Sequence, residues 1–578
     1  MRLALLFIPL LIWGSFVGAI AQNTGTLTGV IIDSTTKEAL LGVQVATAKA
    51  NTNTNFIDGQ YELELPAGKH AITFSYLGFA TVADTVAILA GERTVYNVTM
   101  WESATILETA TVTSSKFSKS LGEATVSLQV VQPDLIQNTN AVEVDEVLDK
   151  VPGVTTMGSQ VSIRGGAGFS QGTGSRVLVL LDGMPALQAD AGLPNWGDLP
   201  TENIEQIEVL KGAASALYGS TAMNGVINVR TALPTAKPLT KVSLFTTLYG
   251  DPADLDNKWW TPAQQPFRAG LQLAHRQKWG KVDAVLGGNL TYNPQLMRTY
   301  RQLDNGDIDS LPGYDHRARL TALLRYRHSE RLLFTLNTNV NIGSQNVFLF
   351  HARVDPNLGL YESDFAPAPR GQNFRLTLDP AVTYFDKIGS RHRIQGRIYY
   401  IDNNNENTHT NESSTWFGEY QFQRRFEQLN GLEVAAGAVA STINSNAEVY
   451  GANVYVHNNY AAYVQLDYKL WKKLSLSVGA RYEINTTAYP DSIAYDITFN
   501  GVPLPGGRKA LALSDTVEHR PVFRAGLSYE LSKATFIRAS WGQGYRFPTV
   551  IEKFISPAAG RITIAPNPDL VSETGWSA

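Results

Sequence analysis

Apolar and polar residues alternate along many segments in the second half of the chain. In residues 318–326, Leu320 and Leu324 occupy one set of alternate positions, and arginine or threonine fills most of the other set. The same pattern recurs in residues 332–341, 464–470, 474–483 and 523–530. Successive side chains of a β-strand point to opposite faces, so each segment predicts a strand with one apolar and one polar face. About thirteen complete strands of this kind are predicted between residues 233 and 578.

The connections between these strands alternate in length. Short turns are predicted at residues 277–281, 328–331, 470–473 and 531–534, and long polar loops at 293–315, 344–373, 402–413, 442–457 and 485–519. A sheet that crosses a membrane must pair every backbone polar group within the protein, which requires a closed barrel. Strands of about ten residues with an apolar outer face are typical of such a barrel. The pattern therefore predicts an antiparallel transmembrane β-barrel, with the short turns in the periplasm and the long loops outside.

The end of the chain bears on how complete this barrel is. An odd strand count and an open sheet edge in hydrocarbon are both unfavourable. Residues 575–578 begin a further strand where the sequence stops. We therefore expect the sequence to be truncated at its C-terminus and the barrel to be incomplete.

The N-terminal 21 residues have a different pattern. Arg2 is followed by a short apolar run over residues 3–13 and then by small residues that end at Ala19-Ile20-Ala21. This order is typical of a secretory signal peptide. A membrane anchor is the alternative, but Pro9 and the short run favour the signal peptide. The protein is therefore expected to leave the cytoplasm.

Residues 22–104 alternate in shorter bursts. Val30 and Ile32 form one burst, and Tyr61, Leu63 and Leu65 form another, with turn residues such as Asp58-Gly59 between them. Short, regularly spaced strands separated by turn signals are typical of a β-sandwich. We expect a sandwich of roughly 75 residues here.

A linker and a mixed segment follow the sandwich. Residues 105–114 are rich in β-branched residues and have no evident partner, so they are either an ordinary linker or a segment that adds itself to another protein's sheet. Residues 115–232 combine helical spacing over 141–151 with apolar strands near 177–181 and 225–229. This combination predicts a small α/β body over 115–232.

Composition narrows the classes of protein that remain. The chain has 578 residues, with 48 basic against 52 acidic side chains and a net charge of −4. The mean hydropathy of −0.12 is too low for a helical membrane bundle. The chain has no excess of basic residues, which argues against nucleic-acid binding. The chain has no cysteine, which excludes disulfides, thiolate metal sites and cysteine nucleophiles.

A sequence motif typical of metalloprotease active sites is absent from the chain. No H-E-x-x-H sequence occurs. We therefore expect no enzymatic activity, no catalytic residue, no metal site and no cofactor. The alternative enzyme class is a secreted peptidase with a regulatory domain, and the lack of a catalytic His/Glu set disfavours it.

Several ordered motifs resemble one family. In residues 115–232 the motifs contain Arg164, Gly165, Asp182, Gly183, Lys211, Gly212, Tyr218, Gly219 and Asn228. In the strand region they contain Tyr545, Arg546, Pro548 and Glu552, followed by Asn567, Pro568 and Glu573. Together they resemble the plug and two barrel signatures of TonB-dependent outer-membrane receptors. Residues 22–104 resemble the carboxypeptidase-regulatory-like domain that precedes the plug in members from Bacteroidetes.

The resemblance implies a complete architecture and a mechanism. It implies a plug over residues 115–232, called the plug below, inside a barrel over 233–578, which has about 22 strands in the family. It also identifies the linker residues Glu108, Thr109, Ala110, Thr111, Val112, Thr113 and Ser114 as a TonB box. The periplasmic TonB protein, with its inner-membrane energising complex, would pair with this box and pull. The sandwich would then lie in the periplasm and the barrel in outer-membrane lipid.

The resemblance leaves the cargo open. A ferric siderophore leads, and cobalamin, an oligosaccharide or a peptide are alternatives. Haem receptors of the family place a histidine between the two barrel signatures, and residues 549–566 contain none. A plugged adhesin or porin without active transport is the alternative class. For docking of the plug, we expect Arg164 to pair with an inward carboxylate such as Glu483 or Glu530.

Overall fold

The fold consists of two compact units, which span Met1–Thr109 and Ala110–Ala578. A computed structural model of the chain describes residues 24–34, 37, 39–40, 43–47, 51–54, 59–76, 79, 82–101, 111–112, 119–120, 124–158, 160–166, 174–234, 237–252, 255, 258, 260, 265–302, 308–329, 331–346, 351–355, 360–363, 370–386, 390–405, 410–426, 429, 431–448, 451, 453–471, 473–499, 502–532, 535–555, 558–559, 562–563 and 565–578. The predicted signal peptide, residues 1–21, lies outside the described residues.

The first unit consists of two small sheets around one core. Its strands are β1 (Thr24–Asp33), β2 (Gln44–Ala46), β3 (Asn51–Asn53), β4 (Gln60–Pro66), β5 (Gly68–Ser75), β6 (Val82–Ile88), β7 (Arg93–Val95) and β8 (Val98–Met100). One sheet has the order β4-β1-β7, with β8 also on β1, and the other has the order β3-β2-β5-β6. Leu27, Leu65 and Phe74 are fully buried between the sheets. This arrangement is the sandwich that the short alternating bursts predict.

The plug contains a five-stranded mixed sheet of order β11-β16-β17-β14-β15. The elements of the second unit up to the end of the plug are β9 (Thr111–Val112), β10 (Lys119–Ser120), β11 (Ser127–Val131), α1 (Pro133–Asn138), α2 (Val144–Leu148), β12 (Val154–Met157), β13 (Gln160–Ile163), β14 (Val177–Leu181), β15 (Met184–Pro185), β16 (Ile204–Lys211), α3 (Ser215–Tyr218) and β17 (Gly225–Thr231), with 3-10 turns at Trp196–Asp198 and Thr201–Asn203. Strands β14 and β17 are parallel, and all five residues of β14 are buried.

Helix α2 is shorter than the helical spacing over 141–151 predicts. Val144, Val147 and Leu148 face the core and are fully buried. Asn140 has a φ of 50°, in the left-handed region, so it follows the end of α1 and does not cap the next helix. The helix consequently begins at Val144.

The second part of this unit is one large sheet, called the large sheet below. Among the described residues its main run consists of fourteen antiparallel strands, and three further short strands in the long connections bring it to seventeen. The fourteen strands of the main run are β18 (Leu239–Leu248), β19 (Phe267–Trp279), β20 (Val282–Tyr292), β22 (Ile308–Ser329), β23 (Leu332–Asn346), β26 (Arg370–Phe385), β27 (Arg391–Asn405), β28 (Asn411–Phe426), β29 (Leu432–Ala447), β30 (Asn453–Leu470), β31 (Leu474–Ala488), β34 (Thr516–Ser532), β35 (Thr535–Arg546) and β38 (Glu573–Ser577). The last strand is short, so the prediction of about thirteen complete strands is confirmed.

The alternation sorts the side chains of the large sheet into two faces as predicted. Val464 and Leu466 are 39% and 41% exposed, whereas Gln465 between them is 0% exposed. The same contrast separates exposed Leu320 from buried Arg319, and exposed Phe523 from buried Arg524. The apolar rows therefore lie on the outer face, and the polar rows face the plug.

The long connections contain more regular structure than the polar composition predicts. Further elements there are β21 (Pro294–Gln302), β24 (His351–Asp355), β25 (Leu360–Ser363), β32 (Ser492–Phe499), β33 (Val502–Ala512), α4 (Val550–Phe554), β36 (Ala558–Ala559) and β37 (Ile562–Thr563). Strands β32 and β33 pair with each other as a hairpin, called the outer hairpin below. The loop prediction was therefore wrong for much of 293–315 and 485–519, because cross-strand pairing extends beyond the apolar rows.

Among the described residues, the large sheet is an open sheet. Within the part of the chain that the structure describes, no pairing joins β18 to β38. Among the same residues, no helix has the length and apolar character needed to cross a bilayer.

Candidate functional site

The two predicted barrel signatures meet at the end of β35. Arg546 is the last residue of that strand, and the chain turns at Pro548 into α4. Glu552, in the first turn of α4, accepts hydrogen bonds from the backbone N–H of Thr549 at 2.8 Å and from its hydroxyl at 3.0 Å. A Thr followed three residues later by Glu is the capping arrangement that fixes a helix start. The first signature therefore positions the Glu552 carboxylate beside Arg546.

Four charged side chains form an alternating chain at this place, called the ion-pair cluster below. Arg546 donates to both oxygens of Glu552, at 2.6 and 2.8 Å, and to Glu573 Oε1 at 2.9 Å. From the plug, Arg176 donates to the two oxygens of Glu573 at 2.7 and 2.9 Å. Arg546 is only 3% exposed, and these carboxylates compensate its buried positive charge. The cluster joins the plug to two strands of the large sheet and to α4.

Electrostatics keeps the cluster ionised. Burial by itself would raise the pKa of Glu552. The hydrogen bonds and positive charge of Arg546, together with the Thr549 donors, outweigh burial and hold that pKa below its usual range. Glu552 is therefore a carboxylate at neutral pH, and both of its oxygens can accept hydrogen bonds from Arg546.

The other signature residues support the same corner. The backbone N–H of Tyr545 donates to Ser215 Oγ of the plug at 3.2 Å. The N–H of Asn567 donates to the carbonyl of Lys553 at 2.7 Å, and Pro568 turns the chain toward β38. The second signature thus returns the chain past α4 and delivers Glu573 to the cluster.

Asp182 and Gly183 form a turn whose polar groups bond to other residues of the plug. Asp182 accepts hydrogen bonds from the N–H and hydroxyl of Thr231 at 2.8 and 2.7 Å. The N–H of Gly183 donates to Asn228 Oδ1 at 3.1 Å. Asp182 also accepts a 3.3 Å hydrogen bond from Asn337 of the large sheet. Asp182, Gly183 and Asn228 therefore belong to one local network.

The other plug residues of the predicted motifs, Lys211, Gly212 and Gly219, lie where the plug backbone is close to other parts of the chain. Lys211 donates to Gln129 Oε1 at 2.9 Å and to the carbonyl of Pro152 at 2.7 Å. Gly212 and Gly219 have φ values of 122° and 85°, which favour glycine. A Cβ on Gly219, which follows Tyr218 at the end of α3, would lie 2.6 Å from Glu483 Oε1. Glycine is needed there because the large sheet approaches the plug backbone.

The expected pairing of Arg164 was wrong. Its side chain is exposed and donates to Ser127 Oγ within the plug at 2.8 Å. Arg164 and Gly165 have φ values of 55° and 64°, so the chain turns after β13 and strand alternation no longer directs the side chain inward. Glu483 instead pairs with Arg481, and the backbone of Glu530 bonds to Lys473 at a short turn.

Sequence reasoning missed the arginines of the large sheet that hold the plug backbone. Arg319 donates to the carbonyls of Gly197 and Leu199 at 2.5 and 2.8 Å and pairs with Glu202.

Arg397 is held by Asp379 at 2.7 and 2.5 Å and donates to the carbonyls of Met184 and Pro185 at 3.1 and 2.7 Å. Arginine at an inward position in the middle of a strand is the signal that could have found both residues. Contacts of this kind fix the plug against the inner face of the large sheet.

The predicted TonB box is described only at Thr111 and Val112. These two residues form β9, which pairs antiparallel with β10 in the register Val112 to Lys119 and Thr111 to Ser120. Glu108, Thr109, Ala110, Thr113 and Ser114 lie outside the described residues. The described part therefore forms a strand, as its β-branched composition predicts.

Three family models match successive parts of the chain. Residues 27–112 match a CarboxypepD_reg-like domain, residues 120–226 a TonB-dependent receptor plug domain, and residues 234–578 a TonB dependent receptor-like β-barrel. The last match alone covers more than half of the 578 residues.

Individual relatives agree with these matches. The chain is 31% identical over 250 residues to the vitamin B12 transporter BtuB of Vibrio vulnificus, which covers 39% of each protein. It is 31% identical over 138 residues to the protein of that name in Photobacterium profundum, which covers 23% of this chain and 22% of the relative. The chain thus matches about two fifths or less of the length of these relatives.

Solved structures share the fold at low identity. The siderophore receptor PirA of Pseudomonas aeruginosa has a TM-score of 0.56 at 15% identity, covering 78% of this chain and 70% of that one. The closed form of the ferric-catecholate import receptor Fiu of E. coli K12 has a TM-score of 0.60 at 14% identity, covering 82% and 74%.

Proposed function

Because the chain belongs to the TonB-dependent receptor family, we propose that it imports a scarce or bulky substrate across the outer membrane by active transport. The family is a class of transporters and receptors, not of enzymes. In this proposal the plug closes the lumen at rest, and the periplasmic TonB protein pulls on residues 108–114 with energy from the inner-membrane complex. Movement of the plug then opens a path for the substrate.

The contact of the plug with the inner face of the large sheet carries the proposal. Hydrogen bonds reach the plug from β19, where Arg276 donates to Asn203 at 2.8 Å, through to β35, where Arg538 donates to the carbonyl of Ala124 at 2.8 Å. A void lined by Leu181, Asn203 and Asn337 has a volume of only about 10 Å³, which is at the lower limit for one water. Tight seating of this kind supports a gated transporter over an open pore.

The two faces of the large sheet support a place in the outer membrane. The exposed apolar rows would contact lipid, and the proposal puts the sandwich domain in the periplasm on the side of TonB. Strand β9 supports TonB recognition, because a segment already in extended form can add to a sheet edge of a partner with little rearrangement.

For the cargo, we propose a ferric siderophore first. Receptors whose names state siderophore or ferric-catecholate import share the fold. Cobalamin is the second candidate, supported by the matched transporter of vitamin B12. Oligosaccharides and peptides remain further candidates for the same mechanism.

The experiment replaces one donor of the TonB box in the full-length receptor. Val112→Pro removes a backbone N–H needed for strand addition, and Val112→Ala is the matched control that keeps it. Cells with and without TonB are supplied with a labelled ferric catecholate and with labelled cyanocobalamin, and surface binding and accumulation are measured separately. We expect Val112→Pro to bind a cargo without accumulating it and Val112→Ala to do both. Accumulation by Val112→Pro, or without TonB, would support a plugged porin or adhesin instead.

A further inference from the structure

Helix α4 packs on the base of the outer hairpin. Phe554 is 1% exposed, and its ring lies 4.5 Å from that of Tyr455 and 5.1 Å from that of Tyr489, measured between centroids. Lys553 donates to the hydroxyl of Tyr489 at 3.0 Å. Ile493 and Leu511 of the hairpin share this apolar cluster. One end of α4 is therefore fixed to the outer hairpin.

The other end of α4 contacts a plug loop, residues 188–193, called the apex loop below. The N–H of Ile551 donates to the carbonyl of Asp190 at 3.3 Å. Gly192 has a φ of 63°, and a Cβ there would lie 2.7 Å from the Cγ2 of Thr549. The apex loop and the start of α4 are thus in direct contact, with no room for a side chain between them.

The apex loop is bonded to the segment that carries Arg176. The N–H groups of Gly174 and Ser175 donate to the carbonyls of Ala191 and Gly192 at 2.9 and 3.0 Å. Arg176, the next residue, pairs with Glu573 in the ion-pair cluster. A continuous series of contacts therefore runs from the outer hairpin through α4 and the apex loop to Arg176.

We propose that α4 is the positioning element that couples the outer hairpin to the plug, with Phe554 as the residue on which the coupling depends. Phe554 and Glu552 lie on one short helix, so displacement of Phe554 displaces the partner of Arg546. The same displacement removes the support of the apex loop, and Arg176 loses its fixed position. This inference rests on the proposed function, because it assigns to the transporter the step by which an event outside the cell loosens the plug.

The test measures hydrogen exchange of the full chain without cargo and without TonB. Phe554→Ala removes the packing on Tyr455 and Tyr489, and Phe554→Leu keeps most of the apolar volume. Phe523→Ala, on the exposed outer face of β34, is the matched control. We expect exchange at residues 174–176 and 190–193 to rise about tenfold in Phe554→Ala. We expect the other two variants to stay within about twofold of the original protein.

Two results would overturn the inference. In one, Phe554→Ala accelerates exchange in the outer hairpin and leaves residues 174–176 and 190–193 unchanged, which makes α4 a local packing element. In the other, Phe523→Ala accelerates the same plug residues equally, which indicates general loosening. If Phe554→Ala does not fold, Lys553→Met, which removes the bond to Tyr489, is judged by the same exchange rates. None of these measurements involves uptake, so they fail or succeed independently of the transport experiment.

Discussion

Arg176 and Glu573 are separated by 397 residues in the chain and joined by two hydrogen bonds of 2.7 and 2.9 Å. Arg176 immediately precedes the fully buried strand β14 of the plug, and Glu573 begins the last strand of the large sheet. The parallel pair of bonds fixes the orientation of both groups, as paired Arg and carboxylate planes do. Seating of the plug is thus tied directly to correct pairing of β38 with β35.

The first prediction concerns the strength of this pair. A double-mutant cycle with Arg176→Gln and Glu573→Gln should give a coupling of about 1 kcal/mol, because Arg176 is 16% exposed but Glu573 is 35% exposed and partly screened. The free energy of unfolding in denaturant measures it. The pair Arg425–Glu433, at 3.7 Å with Arg425 59% exposed, is the control and should give less than about 0.5 kcal/mol. Equal coupling for both pairs would contradict a special role for Arg176.

The second prediction separates backbone strain from lack of space in the apex loop. Gly158 and Gly192 have similar φ values of 58° and 63°, but an added Cβ would have a neighbouring atom within 3 Å only at Gly192. Gly158→Ala should cost about 1 kcal/mol from the left-handed backbone alone. Gly192→Ala should cost about 1 to 2 kcal/mol more, because the new methyl displaces Thr549. The free energy of unfolding in denaturant is measured for both variants. Equal losses of stability would mean that Thr549 and α4 move aside at no energetic cost.

The third prediction concerns pH and Asp145 in α2. Burial, followed by the negative charges of Glu143 and Glu146, raises the pKa of Asp145 from 3.8 to about 7. Arg317 and Arg268 of the large sheet pair with Glu143 and Glu146. These two guanidinium groups therefore compensate the neighbouring carboxylates and not that of Asp145.

The folded protein therefore binds a proton that the unfolded chain releases between about pH 4 and 7, and stability should fall as pH rises through this interval. Asp145→Asn should raise the free energy of unfolding by about 1 to 3 kcal/mol at pH 8 and by much less at pH 5. Exposed Asp134, in α1, provides the matched control substitution Asp134→Asn, which is measured at the same two pH values. A pH-independent effect of Asp145→Asn would indicate an ordinary pKa.

Alternation predicted the faces of the large sheet because burial there follows the two-residue repeat. Gln465 and Arg524 lie on the inner face and Val464 and Phe523 on the outer face for this reason alone. The ends of the strands were not predictable in this way. Strands such as β30 extend into polar residues near Asn453, where backbone pairing continues without an apolar face.

The candidate site was predictable as motifs but not as a geometry. The resemblance selected Arg546, Glu552 and Glu573, which the fold brings together, but it did not select Arg176. Arg176 lies next to a strand that is buried throughout, so no alternation indicates its direction. The same limit explains the error at Arg164, where a left-handed turn replaces the strand geometry on which the expectation relied.

Arg319 binds the main-chain oxygens of Gly197 and Leu199 in the plug, and Arg397 binds those of Met184 and Pro185. A peptide carbonyl is the same group whatever side chain accompanies it, so substitutions at these plug positions leave the acceptors in place. The path of the plug backbone is what the two arginines recognise. The side chains of those loops can therefore change during evolution, and with them the molecules that the loops contact. The plug would still bind to the inner face of the large sheet.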